Sequence, residues 1–238
     1  MLETDGRVVH PATGVPQGGI VSPVLSNIYL HYALDLWFHK VVRKRCRGEA
    51  CLIRYADDYT CAFQYREEAE AFMEALRERL EKFGLVLSEE KTRVGRFSPC
   101  SPNGRDRFVF LGFEFYWGTD RRGRQHVRRR TAPKRLQRSI AQITAWCREN
   151  RHTRLIQLFR VLNAKLRGYL NYYGLPDNRR SIARFFREAL AILFKWLNRR
   201  GQHHSYTWQG FEALCKDLLQ VRSDAVCPWT RAAAMTRR

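Results

Sequence analysis

The spacing of apolar residues divides the chain into stretches of different period. Between Ser22 and about Arg45, apolar positions that include Val24, Ile28, Leu34, Trp37 and Val41 recur at roughly helical intervals. Ser22-Pro23 before them has the form of a helix start, a hydroxyl cap followed by proline at the first helical position. Residues 51–55 and 59–63 are rich in β-formers and flank Ala56-Asp57-Asp58, which predicts a hairpin with aspartates at its turn. Residues 66–83 return to helical period, with Ala69, Phe72, Met73, Leu76 and Leu80 on one face and Gly84 as the stop. Residues 85–87 and 93–97 read as short strands, and the aromatic segment 108–117 as strands or a hairpin.

After Gly118 the pattern changes. Residues 121–130 are basic, contain glycine and read as a connector. From Pro133 onward the period is helical. Leu136, Ile140, Ile143 and Trp146 form one set, and residues 155–170 and 182–197 form two more. Asp177-Asn178 and Gly201-Gln202 mark breaks, and a last helix is expected over residues 208–219. The first 21 residues, rich in Gly and Pro, read as a strand or loop with turns. The fold class expected is α+β: an antiparallel sheet with helices over residues 1–118, a connector over 119–132, an all-helical unit over 133–222 and a loosely ordered tail over 223–238.

Charge sharpens this division. Residues 1–119 hold 16 basic and 16 acidic side chains, whereas residues 120–238 hold 27 basic against 7 acidic, which is the whole of the +20 net charge. Most of that excess is arginine, suited to bidentate contact with phosphate. A polyanionic partner is expected, rather than a merely solubilising surface, which would mix both signs. Seven cysteines without any C-x-x-C pair argue against a zinc ribbon or a disulfide framework. The first residues, Met-Leu-Glu-Thr-Asp, lack a basic n-region and an apolar h-region, so no signal peptide is expected, and the longest apolar run, residues 189–194, is too short to span a bilayer.

Two adjacent carboxylates at a hairpin turn repel each other. A bound divalent cation removes that repulsion, and magnesium takes hard oxygen ligands. Aspartate is also common in turns for reasons of backbone geometry, so the dipeptide alone leaves both readings open.

Its surroundings add a resemblance. Leu52-Ile53-Arg54-Tyr55-Ala56-Asp57-Asp58 resembles the signature hairpin of reverse transcriptases. Upstream, residues 14–23 (Gly-Val-Pro-Gln-Gly-Gly-Ile-Val-Ser-Pro) and 25–30 resemble the block that precedes it. Downstream, residues 84–87 with Glu90-Lys91-Thr92, and then Phe110-Leu111-Gly112-Phe113, resemble the two blocks that come after it. The segment 162–173, with Lys165, Arg167, Tyr169, Tyr172 and Tyr173, is similar to the maturase region of reverse transcriptases encoded in group II introns. So are Pro133-Lys134 and residues 194–200.

That resemblance implies a partial right-hand polymerase palm followed by a helical thumb and maturase unit. It implies an RNA-directed DNA polymerase with Asp57 and Asp58 as catalytic residues holding Mg2+ in a two-metal site. Pro16, Gln17, Gly18 and Lys91 would face the nucleotide and template, and Phe110, Leu111, Gly112 and Phe113 would grip the primer. Arg128, Arg129, Arg130, Lys134, Arg135, Lys165, Arg167, Arg199 and Arg200 would contact RNA, where aromatic stacking and backbone contact dominate. The implied partners are group II intron RNA, an RNA template, a DNA primer and deoxynucleoside triphosphates, with no membrane, in the cytoplasm with the nucleoid or the intron ribonucleoprotein.

The chain departs from the family pattern in one respect. The family carries a third aspartate well upstream of the Pro-Gln-Gly block, and here only Asp5 precedes it, in a turn-like context. Little or no polymerase activity is therefore expected of these 238 residues alone. A longer protein, a truncated relic and a separately encoded N-terminal half each account for this. No C-terminal Cys-pair endonuclease is expected. The alternatives in function are a non-catalytic maturase that assists splicing, or a reverse transcriptase outside introns, of the defence or diversity-generating type.

Overall fold

The structure is a computed structural model and describes residues 20–99, 106–120, 122–201 and 205–221. The chain forms two compact units, Met1–Phe97 and Ser98–Arg238. The boundary expected at residue 118 falls inside a strand. The antiparallel ladder from Phe113↔Thr131 to Thr119↔Gln125 carries the sheet through most of the supposed connector. Asp120 closes that turn: its side chain accepts from the backbone N–H groups of Arg122 and Arg124, and Gly123 supplies a positive φ of 77°.

The first unit is built on an unbroken helical path from residue 22 to 45. It runs as α1 (Ser22–Leu30), two π-helical stretches (His31–Asp35 and Phe38–Val42) and α2 (Arg43–Arg45). Ser22 is the first helical residue rather than the cap, and Val21 stands in the cap position. The hairpin β1 (Ala50–Tyr55) and β2 (Asp58–Phe63) comes next, then α3 (Arg66–Lys82). Gly84, with φ 64°, ends α3. Its N–H donates to Glu81 O and that of Leu85 to Leu80 O, the two bonds of a Schellman stop.

Leu34, Phe38, Phe72, Leu76 and Leu80 form the core of this unit, with the Phe72 ring stacked on Trp37 and edge-on to Phe38. Neither residues 85–87 nor 93–97 form strands, because no neighbouring strand offers them a ladder. Leu85 and Leu87 instead pack onto the core from a loop.

The second unit opens with a three-stranded sheet in the order β3 (Arg107–Phe110), β4 (Phe113–Thr119), β5 (Gln125–Thr131). Among the described residues, four α-helices come after it: α4 (Pro133–Glu149), α5 (Leu155–Tyr173), α6 (Arg179–Leu197) and α7 (Trp208–Leu218). Their apolar faces share one core, in which Leu158, Phe159, Leu162, Leu166, Phe186, Leu193, Leu197 and Phe211 are almost wholly buried. Burying each such side chain contributes about 2 kcal/mol.

Sheet and helices are joined by a buried polar clip. Asn178 Oδ1 accepts from the Thr131 N–H at 2.7 Å, while its Nδ2 donates to Thr131 Oγ1 and to Tyr173 O. No described helix is long and apolar enough to cross a membrane. The tail beyond residue 221 lies outside the described residues.

Candidate active site

The Asp57-Asp58 hairpin is tighter than the sequence suggests. Ala56 and Asp57 alone make the turn. Asp58 begins β2 and pairs with Tyr55. Ala56 adopts φ 54°, a left-handed conformation that costs a non-glycine residue on the order of 1 kcal/mol. Both carboxylates are exposed, as is Tyr55 at 68%.

A guanidinium lies directly behind this turn. Arg54 Nε and Nη2 donate to the two carboxylate oxygens of Asp35 at 2.8 and 2.6 Å. Its Nη1 donates to Asn27 Oδ1 and to the carbonyl of Ala56, both at 2.8 Å. Asp35 ends the first π-helical stretch, and His31 Nδ1 stands 3.4 Å from its Oδ2. The Arg54 hydrogen bond holds the Asp35 carboxyl below the usual carboxylate range, against the smaller opposing effect of burial. Tyr59, beside Arg54 in the register, is pushed up to about 12 by burial and stays neutral.

Adjacent exposed carboxylates supply the hard oxygen donors that magnesium takes. Among the described residues, no group of three or more His, Cys, Asp or Glu side chains gathers to hold a metal ion. Lys91 is exposed in the turned segment after α3, its N–H donating to Ser88 O. Pro16, Gln17 and Gly18 lie outside the described residues.

Phe110, Leu111, Gly112 and Phe113 belong to the second unit and form a second two-residue turn. Leu111 (φ 49°) and Gly112 (φ 77°) link the paired residues Phe110 and Phe113. Left-handed angles at both central positions define the type I′ turn that suits strand twist. The tyrosines of α5 hold it. Tyr172 OH donates to Leu111 O at 3.0 Å, and its ring stacks on Phe113. A Cβ at position 112 would lie 2.9 Å from the Tyr173 hydroxyl, so a side chain there displaces that tyrosine as well as straining φ, and glycine suits both. Tyr169 packs flat on Phe185.

The nine cations assigned to RNA differ in their freedom. Arg128 lies over Gly118 and donates to Thr119 O, Arg130 is paired with Glu114, and Arg200 donates to Thr153 O. Arg129 stands 3.6 Å from Asp177, Lys165 sits over Trp146 and Arg199 over Trp196, and Arg167 reaches Gln220. Lys134 and Arg135 are exposed at the start of α4.

The sequence reading missed the outer face of α6, where Arg180, Arg184, Arg187 and Lys195 are exposed. Their spacing of four, three and eight residues, opposite the apolar set Ile182, Phe185, Phe186, Ala189 and Leu193, was the available signal.

Residues 2–115 match the family model described as "Reverse transcriptase (RNA-dependent DNA polymerase)". Protein YkfC of Escherichia coli (strain K12) is 30% identical over 159 residues, covering 56% of this chain and 40% of that protein. Telomerase reverse transcriptase of Takifugu rubripes is 30% identical over 94 residues, covering 40% of this chain and 8% of that protein. The aligned part thus spans less than half the length of either relative. The matched region takes in Asp57, Asp58, Lys91 and residues 110–113 and stops short of α4. Over residues 2–115, just under half of its length, the chain is similar to the reverse transcriptase family.

Proposed function

We propose that this chain is part of a group II intron-encoded reverse transcriptase, with RNA-directed DNA synthesis at the Asp57-Asp58 turn and maturase-type RNA binding by the helical unit. The presentation of two adjacent exposed carboxylates, one in a two-residue hairpin turn and one at the start of the strand after it, carries this reading. Asp57 and Asp58 would hold Mg2+, which when bound lowers the cost of the charge that develops between primer 3′-oxygen, phosphate and leaving pyrophosphate. The carboxylates orient that site, and the strands behind them fix its position. Lys91, exposed and cationic, suits a triphosphate.

The substrates on this reading are a template and primer and deoxynucleoside triphosphates. A third carboxylate for the two-metal site is not beside the turn among the described residues. On this reading the carboxylate that completes the site comes from outside the described residues or from a separately encoded partner.

The test is RNA-templated primer extension by the longer enzyme or the reconstituted halves, run beside RNA binding on filters. Asp57→Ala is expected to abolish synthesis and leave RNA retention within about twofold of wild type, since a carboxylate makes no phosphate contact. Loss of both together would assign Asp57 to folding and sink the catalytic reading.

The basic face of the second unit favours a second reading, a maturase that binds folded intron RNA without polymerising. It requires RNA affinity that falls by orders of magnitude between about 50 and 200 mM salt, as phosphate contacts release counterions. Binding indifferent to salt over that range would count against it.

A further inference from the structure

We infer that Arg54 is the positioning residue of the Asp57-Asp58 turn, a brace that ties the left-handed Ala56 to the helix carrying Asn27 and Asp35. This rests on the reading of that turn as the metal-holding site. A two-stranded hairpin on its own is a weakly held element. Its turn contains a residue that ordinarily avoids positive φ, so something outside the turn must fix it.

Arg54 is the group that does so. All four of its contacts go to different acceptor atoms, and each is between 2.6 and 2.8 Å long. One of those acceptors is the carbonyl of Ala56 itself, the peptide oxygen adjoining Asp57. The guanidinium plane is fixed by the fork on Asp35, whose side chain is 19% exposed against 13% for Arg54. A planar group so held aims its remaining nitrogen in one direction only.

Helix geometry explains why Asp35 is in reach. The π-helical stretch His31–Asp35 widens the turn that delivers it, and the extra residue rotates the rest of the helix by about 100°. Arg79 from α3 steadies that stretch by donating to the carbonyls of Tyr32 and Ala33. The π turn, Asp35, Arg54 and Ala56 thus form one mechanical chain that ends at the carboxylates. Lysine at position 54 keeps the charge. It cannot span the fork and the Ala56 carbonyl together, because its donors sit on a single atom.

The experiment uses the full 238-residue chain and two readouts. NMR on Ala56, through its HN–Hα coupling and its Cα and Cβ shifts, reports whether φ stays positive. Manganese titration followed by EPR reports metal affinity, with Asp57→Asn as the reference for loss of the site. Arg54→Lys and Asp35→Asn are expected to move Ala56 out of the left-handed region. They should also weaken manganese binding by about tenfold, the usual effect of removing a group that orients a ligand.

Ala56 signals that stay at their wild-type values in both variants would overturn the proposal. If neither variant folds, Asn27→Ala, on the outer side of α1, replaces them. It is expected to shift the same signals part of the way, and unchanged signals there would be equally fatal. If wild type binds no manganese at the turn, the metal reading fails, while the Ala56 signals still decide whether Arg54 sets the turn.

Discussion

Two turns in this molecule solve one problem by opposite means. Ala56-Asp57 and Leu111-Gly112 are both two-residue hairpin turns with a non-glycine residue at positive φ. The first is held by a largely buried ion pair, with Arg54 between Asp35, Asn27 and the Ala56 carbonyl. The second is held by rings and neutral hydrogen bonds. Tyr172 and Tyr173 press on it, and the Ala132 N–H donates to Gly112 O. On the proposed reading the first turn offers carboxylates to a cation and must stay solvated, and a salt-bridged brace leaves its outer side open. A turn that carries only apolar side chains can be clamped from the side by aromatics. The difference therefore tracks what each turn presents.

The most damaging way to loosen the second turn is from below. Asn178→Ala leaves the buried Thr131 N–H without its acceptor and takes a donor from Thr131 Oγ1 and from Tyr173 O, which keeps the Leu175 N–H, and is expected to cost about 3 kcal/mol in urea unfolding. A cost below about 1 kcal/mol, the size of one ordinary hydrogen bond, would show that the clip is dispensable. Gly112→Val combines an unfavourable φ with the Tyr173 hydroxyl and should cost about 2 kcal/mol by the same measurement. Equal stability would mean that the tyrosines swing aside freely. Tyr172→Phe removes one hydrogen bond at an exposed site, for an expected loss of about 0.5 kcal/mol.

Acid separates the two turns most subtly. Asp35 has a folded pKa below its unfolded value, so its contribution is complete above the ordinary carboxylate range and is lost as pH falls through the folded value. Its charged neighbours are Arg54 on β1 and His31 on its own helix. Exchange of the β1–β2 turn amides should therefore quicken as pH falls below about 4, once corrected for intrinsic exchange, while the Leu111-Gly112 turn does not change. Parallel behaviour at both turns would erase the distinction.

Much of this was legible in the sequence. The helices α3 to α7 follow from period and stop signals, since a 3.6-residue apolar stripe over four turns has few other uses. The Asp57-Asp58 hairpin was visible because β-formers flank it on both sides. The β5 strand was not, because its arginines resembled a solvated linker. The turn signal was present in Asp120 and Gly123, but the strand's pairing partner settles the matter, and pairing is not local. The π-helical stretches and the Arg54 brace were invisible for the same reason. They depend on contacts between residues 19 and 27 positions apart. The spacing of the α5 tyrosines fits either stacking on RNA or packing between helices. Tyr169 is buried against Phe185, and Tyr172 and Tyr173 hold a turn of their own unit, Tyr172 with its ring exposed.

Whether the Asp57-Asp58 turn holds a divalent cation is decided most directly by paramagnetic broadening on the 238-residue chain. Manganese is added in small steps, and the backbone resonances are followed individually. The expected result is that the amides of residues 55–59 broaden first and that Asp57→Asn removes this without disturbing the rest of the spectrum. Broadening that begins at the other acidic surfaces, such as Glu67 and Glu70 on α3, and reaches the hairpin last or not at all would contradict it.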